Sequence, residues 1–415
     1  MDALAGRYDE LSRQPLPGHR FETSWFWRLL PAGMRRRWWM FRLFDLIARH
    51  WPVPGTRKGI LVVRMDGIGD MVLFRRTLDT YADVLNVDRA EITVLGCASW
   101  APIADIVFAD YRRLMIDEHA FARQPFYRFK IALLVRRLRP AMTLCDSYFR
   151  RALMADSLVW IADAPQTIVS LPYINEPTRT EFTYYLSQVG PVIDTGPYPT
   201  HEIVRHYKFL SALAGREIAP EPPHINWRDV VPDVAKAGPY VVLNPGSNEF
   251  GRRWPFASYL DVAEKLLARG LRVVIIGGID ENAGDAVARF GNDPRVIDLM
   301  GKTSLPELLD VLKHATGVIS NDTGPAHLAI ALGTPTVVIV GGGHFGSFVP
   351  YPAEASPPNA RFVFEEMSCY HCFWRCHLRA SRFDVFPCVS AVPVEKVWRE
   401  IDALIPERAP EQHGG

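Results

Sequence analysis

From residue 59 onward, short runs of apolar and β-branched residues alternate with longer stretches whose apolar positions recur every three or four residues. Runs of the first kind lie at 59–64, 92–95, 142–145 and 167–169, and Met71 to Leu85 has the helical period. The rhythm lapses between about 171 and 198 and returns as a helical run from His201 to Leu213. After Pro220-Glu221-Pro222-Pro223 it restarts more cleanly, with strands expected at 240–243, 272–276, 296–299, 317–320 and 336–340 and helices at 257–269, 281–290, 305–314 and 325–332. Strand, loop and helix in repeated succession predict parallel sheets covered on both faces. The proline-rich link divides them into two doubly wound α/β domains, 56–219 and 220–400, with a polar tail at 401–415.

Residues 1–55 do not share this pattern. Eight aromatic residues between Trp25 and Trp51 are interleaved with arginines, and within 38–49 the polar residues Arg42, Asp45 and Arg49 fall on one helical stripe beside a wide apolar face. The same period suits a helix lying in a membrane interface and a helix packing its aromatic face on the body. Both readings stand at this point, and 24–51 is a candidate for contact with the inner face of a membrane.

Composition narrows the class. In 415 residues, 48% hydrophobic and 22% charged describe an ordinary globular chain, and Lys+Arg 47 against Asp+Glu 46 leaves a net charge of +1, which excludes a global field for nucleic acid. No apolar run is long enough to span a bilayer, and the first residues lack a secretory signal, so a cytoplasmic chain is expected. Arg35-Arg36-Arg37 before two tryptophans imitates a twin-arginine signal, but Arg42, Asp45 and Arg49 interrupt its apolar region. Cys97 and Cys145 sit in apolar runs and read as core. Cys369, Cys372, Cys376 and Cys388 cluster near the C-terminus beside His371 and His377; a structural zinc is one reading and packing the other.

In doubly wound sheets, ligands bind beyond the carboxyl ends of the strands. The first such loop, Met65-Asp66-Gly67-Ile68-Gly69-Asp70, combines a glycine turn, a helix start and two carboxylates, although one aspartate at a helix start is often only a cap. The loop after the first strand of the second domain holds Ser247 and Asn248 with Arg252-Arg253, donors suited to diphosphate oxygens. Asn321-Asp322-Thr323-Gly324-Pro325-Ala326-His327 joins a hydroxyl and bare amides to a histidine on a first helical turn, a phosphate cradle that capping alone does not explain. Asp280 and Glu281 stand where an acid commonly accepts from ribose hydroxyls, and Thr303 where a base pocket would be lined; an ordinary cap accounts equally for both.

Together these residues resemble glycosyltransferase family 9, the ADP-heptose:lipopolysaccharide heptosyltransferases and their relatives, over about 59–400. The specific segments are 63–70 and 320–336; Arg252-Arg253-Trp254-Pro255 resembles a Lys-Arg-Trp-Pro element, and the cysteine-bearing tail looks like that of many members. The resemblance implies a GT-B fold, in which an N-terminal acceptor domain and a C-terminal nucleotide-sugar domain face each other across a cleft. It implies inverting, metal-independent transfer, without a cofactor, from a nucleotide diphosphate sugar to a lipopolysaccharide-core or other envelope glycan. Asp70 matches the general base, with Asp66, Gly67 and Gly69 in its loop, and Arg252 matches the cation that neutralises the leaving diphosphate. Ser247, Asn248, Asp322, Thr323, Gly324 and His327 match phosphate and sugar contacts, Asp280 the ribose contact and Thr303 the base pocket. Met65-Asp66-Gly67 departs from the serine-containing loop of the best-known heptosyltransferases, so the donor sugar stays open. An epimerase or hydrolase on the same architecture, or a non-catalytic nucleotide-sugar binder, are the competing functions.

Overall fold

In the first half of the chain, β-branched runs give six short parallel strands: β1 (Ile60–Val63), β2 (Ile92–Cys97), β3 (Arg112–Ile116), β4 (Met142–Cys145), β5 (Gln166–Ser170) and β6 (Val192–Ile193). The computed structural model describes residues 36–405 apart from 176–177, 279–288, 292 and 382. The strands lie in the order β3-β2-β1-β4-β5-β6, so the chain reverses direction across the sheet between β1 and β4. All four residues of β1 and of β4 are buried, as central parallel strands require when helices cover both faces.

The second half repeats the plan with β7 (Tyr240–Asn244), β8 (Arg272–Ile275), β9 (Val296–Asp298), β10 (Gly317–Asn321), β11 (Thr336–Ile339) and β12 (Ala360–Val363), ordered β12-β11-β10-β7-β8-β9. Its reversal falls between β7 and β10, whose register pairs Gly317 with Val241 and Ser320 with Asn244. The chain forms two compact units, Met1–Pro220 and Glu221–Gly415. Both are α/β, as expected.

Three strands escaped the sequence pattern. β3 is an edge strand carrying Arg112 and Arg113 in solvent, β6 is two residues long, and β12 is an edge strand with only its end residues buried. Edge positions lack the continuous apolar run that marks a central strand. The lapse at 171–198 also contains a helix, Arg179–Leu186, whose Phe182, Tyr184, Tyr185 and Leu186 are buried. Most of the helix expected at 281–290 lies outside the described residues.

The helices that matter for function are α1 (Arg36–Arg49), α2 (Ile68–Leu85), α3 (Pro125–Leu138), α4 (Glu202–Ala214), α5 (Phe256–Ala268), α6 (Gly324–Ala331) and α7 (Val394–Leu404). α1 is not a detached extension. Asp45 makes a bidentate ion pair with Arg128 of α3, at 2.8 Å and 2.6 Å, and Arg128 also donates to the Leu153 carbonyl and the Ser157 hydroxyl. Cys97 and Cys145 are buried, as the core reading required.

Candidate active site

In the first unit the loop at the sheet's reversal runs from Arg64 into α2. Gly67 is the N-cap of α2, so neither aspartate caps it, and Asp70 stands in the first helical turn. The two carboxylates part company here. Asp66 turns back into the protein, 2.7 Å from Arg64 Nε, and accepts from the Ser147 hydroxyl at 3.1 Å. Asp70 stays over the glycine turn, its Oδ2 3.5 Å from where a Gly67 Cβ would lie. Gly69 is half-buried beside it. Asp70 is therefore the carboxylate at the mouth, and Asp66 a strut under it.

That strut belongs to a buried network that the motifs did not reveal. Arg64 also pairs with Asp146 at 2.5 Å, and Asp146 accepts from Tyr81 Oη at 2.7 Å and lies 2.9 Å from His206 Nδ1. Burial opposes the charge on Asp146, yet His206 and Arg64 hold its carboxyl far below the usual range. Burial in turn lowers His206, against the pull of Asp146. At the first turn of α4, Glu202 is buried 3.4 Å from Arg205 Nε. Burial, joined by the charges of Asp70 and Asp66, pushes its carboxyl up to about 8 against the pull of Arg205. The available signals were Asp146-Ser147 at the end of β4 and Glu202 at a helix start, both at the edge where ligands bind.

In the second unit the loops after β7 and β10 are stapled together by the asparagines that end each strand. Asn244 donates to the Ser320 hydroxyl at 2.8 Å and to Thr323 Oγ1 at 3.0 Å; Asn321 donates to the Pro245 carbonyl at 2.7 Å and accepts from the Trp254 amide at 3.0 Å. Arg253 closes the loop by donating twice to the Ser247 carbonyl, at 3.0 Å and 2.8 Å. The Ser247 side chain is held in this loop 7% exposed, and its hydroxyl has no partner. A buried, unsatisfied hydroxyl costs roughly 1–3 kcal/mol unless something meets it. Asn248 next to it is exposed.

Arg252 donates from Nη2 to the Asp322 carbonyl at 2.6 Å and to its carboxylate at 2.8 Å, while its guanidinium lies 4.6 Å from the centre of the Trp374 ring. Burial works against the Asp322 charge, but Arg252 and His327 hold that carboxyl down to about 2. Thr323 is the N-cap of α6 with an extended backbone, yet its side chain makes no capping bond, because Oγ1 is engaged by Asn244. The simple side-chain capping account of Thr323 therefore fails; Pro325 has no N–H, and the Ala326 and His327 amides donate to the Thr323 carbonyl at 3.0 Å and 3.4 Å, which leaves the Gly324 amide at the start of α6. His327 is buried, 3.5 Å from Asp322 through Nε2 and 2.7 Å from the Tyr351 hydroxyl through Nδ1. Its ring is thus held between Asp322 and Tyr351. Thr303 is half-buried in its loop, and Asp280 and Glu281 lie outside the described residues.

The cysteine-bearing tail supplies what the sequence did not foresee. Gly341-Gly342-Gly343 after β11 are packed under it: a Cβ at Gly343 would lie 2.1 Å from the Trp374 ring, and one at Gly342 2.2 Å from Tyr370. The Gly342 amide donates to Cys388 Sγ at 3.3 Å. His344, next in line, is pushed down to about 4 by burial and by Arg252, so it adds no charge near neutral pH. Three glycines and a histidine directly after a strand were the overlooked signal. As for the two readings of the cysteines, zinc or packing, Cys369, Cys372, Cys376 and Cys388 are free thiols, and burial raises Cys372 and Cys388 above the ordinary thiol range. Among the described residues no three His, Cys, Asp or Glu side chains form a group that could hold a metal ion. What the tail visibly does is carry Trp374 to Arg252.

Comparison with known proteins agrees with this geometry. The sequence model of glycosyltransferase family 9 (heptosyltransferase) matches residues 197–377. Lipopolysaccharide heptosyltransferase 3 of Escherichia coli is 32% identical over 125 residues, 29% of this chain and 37% of its own length. The chain thus aligns with between about a third and a half of the length of the curated relatives it matches. Among solved structures, a family 9 glycosyl transferase from Veillonella parvula has a TM-score of 0.64 at 16% identity, covering 84% of this chain and 97% of that one. Escherichia coli ADP-heptose lipopolysaccharide heptosyltransferase II has a TM-score of 0.58 at 20% identity, covering 84% and 98%. At such identities the structures speak for the fold, GT-B in kind, and the sequence likeness to the family covers residues 197–377. The chain thus resembles glycosyltransferase family 9 (heptosyltransferase) in sequence over residues 197–377, and family 9 structures in fold over both units.

Proposed function

We propose that this chain is an inverting glycosyltransferase that moves a heptose or related sugar from a nucleotide diphosphate donor, ADP-heptose, to a hydroxyl of a lipopolysaccharide-core or similar envelope glycan. The observation that carries the reading is the Ser247 hydroxyl, nine-tenths buried and unpartnered, in the loop that also presents Arg252 beside the start of α6. A diphosphate would satisfy the hydroxyl, the guanidinium and the Gly324 amide together.

In the proposed reaction Asp70 takes the proton of the acceptor hydroxyl as that oxygen attacks the anomeric carbon. The bond from that carbon to the β-phosphate oxygen breaks, and its electron pair leaves on the diphosphate. Arg252 and the Gly324 amide at the start of α6 meet the growing charge, so the residues present can supply the compensation that a divalent cation would otherwise give. Asp322 fixes where the Arg252 fork points, and His327 fixes Asp322. Acceptors of this class are anchored in a membrane leaflet, which gives the aromatic and arginine-rich segment 24–51 a partner on the inner face of the cytoplasmic membrane.

Replacing Asp70 by Asn should lower transfer about 10²–10⁴-fold while leaving the dissociation constant for ADP unchanged. A fully active Asp70→Asn protein would overturn the mechanism. Thermal stabilisation by ADP should exceed that by UDP or GDP at equal concentration, and equal shifts would remove the adenine assignment. Product analysis separates transfer from epimerisation or hydrolysis, because only transfer requires the acceptor.

A further inference from the structure

On α1, burial runs against polarity. Its polar stripe points inward: Asp45 is 0% exposed against Arg128, and Arg42 is 8% exposed with its guanidinium 4.3 Å from the centre of the Tyr184 ring. Among the described side chains, the apolar ones turned outward are Leu43, Leu46 and Ile47, at 59%, 38% and 43% exposure, and their spacing places them on one stripe. A helix laid on a water-soluble body does the opposite.

α3 extends this face. Phe44 of α1 meets Phe126 of α3 with ring centroids 6.4 Å apart, and Phe126 itself is 84% exposed. From Phe126 the outward positions of α3 continue through Lys130, Leu134 and Arg137, so apolar and cationic side chains alternate along it. The α3 sequence contains no carboxylate, and the only one in α1 is the buried Asp45. The two helices therefore offer solvent an apolar and cationic surface with no acid of their own.

We propose that the α1–α3 face docks on an anionic lipid bilayer, with Leu43, Ile47 and Phe126 entering the interface and Lys130 and Arg137 meeting the headgroup phosphates. The proposal rests on the reading that the chain works at a membrane surface, and deepens it by adding the second helix and the lipid charge. Apolar area and basic residues act together in such binding, and each cation near an anionic surface contributes. A second copy of the chain is the poorer occupant. A two-fold contact through this face would set one cationic surface without acids of its own against another.

The test is sedimentation of the full chain with phosphatidylcholine vesicles and with vesicles containing phosphatidylglycerol. The protein should pellet with the anionic vesicles, bind phosphatidylcholine alone more weakly, and lose the difference in high salt. Leu43→Ser with Phe126→Ser should weaken binding to either vesicle about tenfold or more. Lys130→Gln with Arg137→Gln should remove the preference for phosphatidylglycerol. An unchanged melting temperature and far-ultraviolet circular dichroism spectrum verify that each variant is folded. The proposal is overturned if the wild-type chain stays in the supernatant with anionic vesicles, if the serine variant binds as well as wild type, or if light scattering finds a dimer that the serine variant dissolves while vesicles go unbound. Transfer activity is not measured, so failure of the glycosyltransferase reading leaves this result standing, and the reverse.

Discussion

Two residues of one kind, four positions apart, end in different roles because of what lies beneath them. Asp66 meets Arg64 and Ser147 and is spent on structure, whereas Asp70, one helical turn on, remains at the mouth. Glu202 makes a similar point about charge. Its carboxyl is raised from 4.5 to about 8 chiefly by burial, so the folded protein holds a proton there that the unfolded chain has released between those values. Where the native state binds more protons, stability falls as pH rises. Wild type should therefore lose thermal stability relative to Glu202→Gln as pH rises from about 5 to about 8, with the two proteins close together at the acid end. Melting temperatures of both across that range check this; a constant gap would mean that Glu202 is ionised throughout.

At the scale of elements, the site depends on packing that spans distant parts of the chain. The triple glycine after β11 lets Trp374 and Tyr370 lie where side chains would otherwise be, and Trp374 in turn lies against Arg252. A cation over a tryptophan face contributes roughly 0.5–2 kcal/mol, enough to favour one direction for the guanidinium. α1 depends in the same way on one ion pair. Asp45→Ala would leave Arg128 buried without its partner, a change that costs about 3–5 kcal/mol in comparable buried pairs. Chemical denaturation should show a loss of that size, with much of it recovered when Asp45→Leu is combined with Arg128→Met. A loss below about 1 kcal/mol would mean that the pair behaves as a surface one.

For the whole molecule, each unit carries its functional residues at the carboxyl edge of its own sheet, where the strand order reverses. The donor reading places all nucleotide contacts in Glu221–Gly415, so ADP should slow amide hydrogen exchange in 245–255 and 321–327 and leave 65–70 unchanged. Protection spread evenly over both units would contradict a donor site in the second alone. Periodicity and motifs alone determined the α/β class, the linker at Pro220, the central strands and the loops holding Asp70, Ser247, Arg252 and Thr323, because central strands and phosphate turns impose local patterns on adjacent residues. Only the tertiary structure decided what depends on contacts between distant residues: that Asp66 is a strut, that His327 is held between Asp322 and Tyr351, that Trp374 supports Arg252, and which face of α1 is buried. The period of α1 fits either orientation. Asp45 finding Arg128, 83 positions away, turns its polar side in and its leucines out.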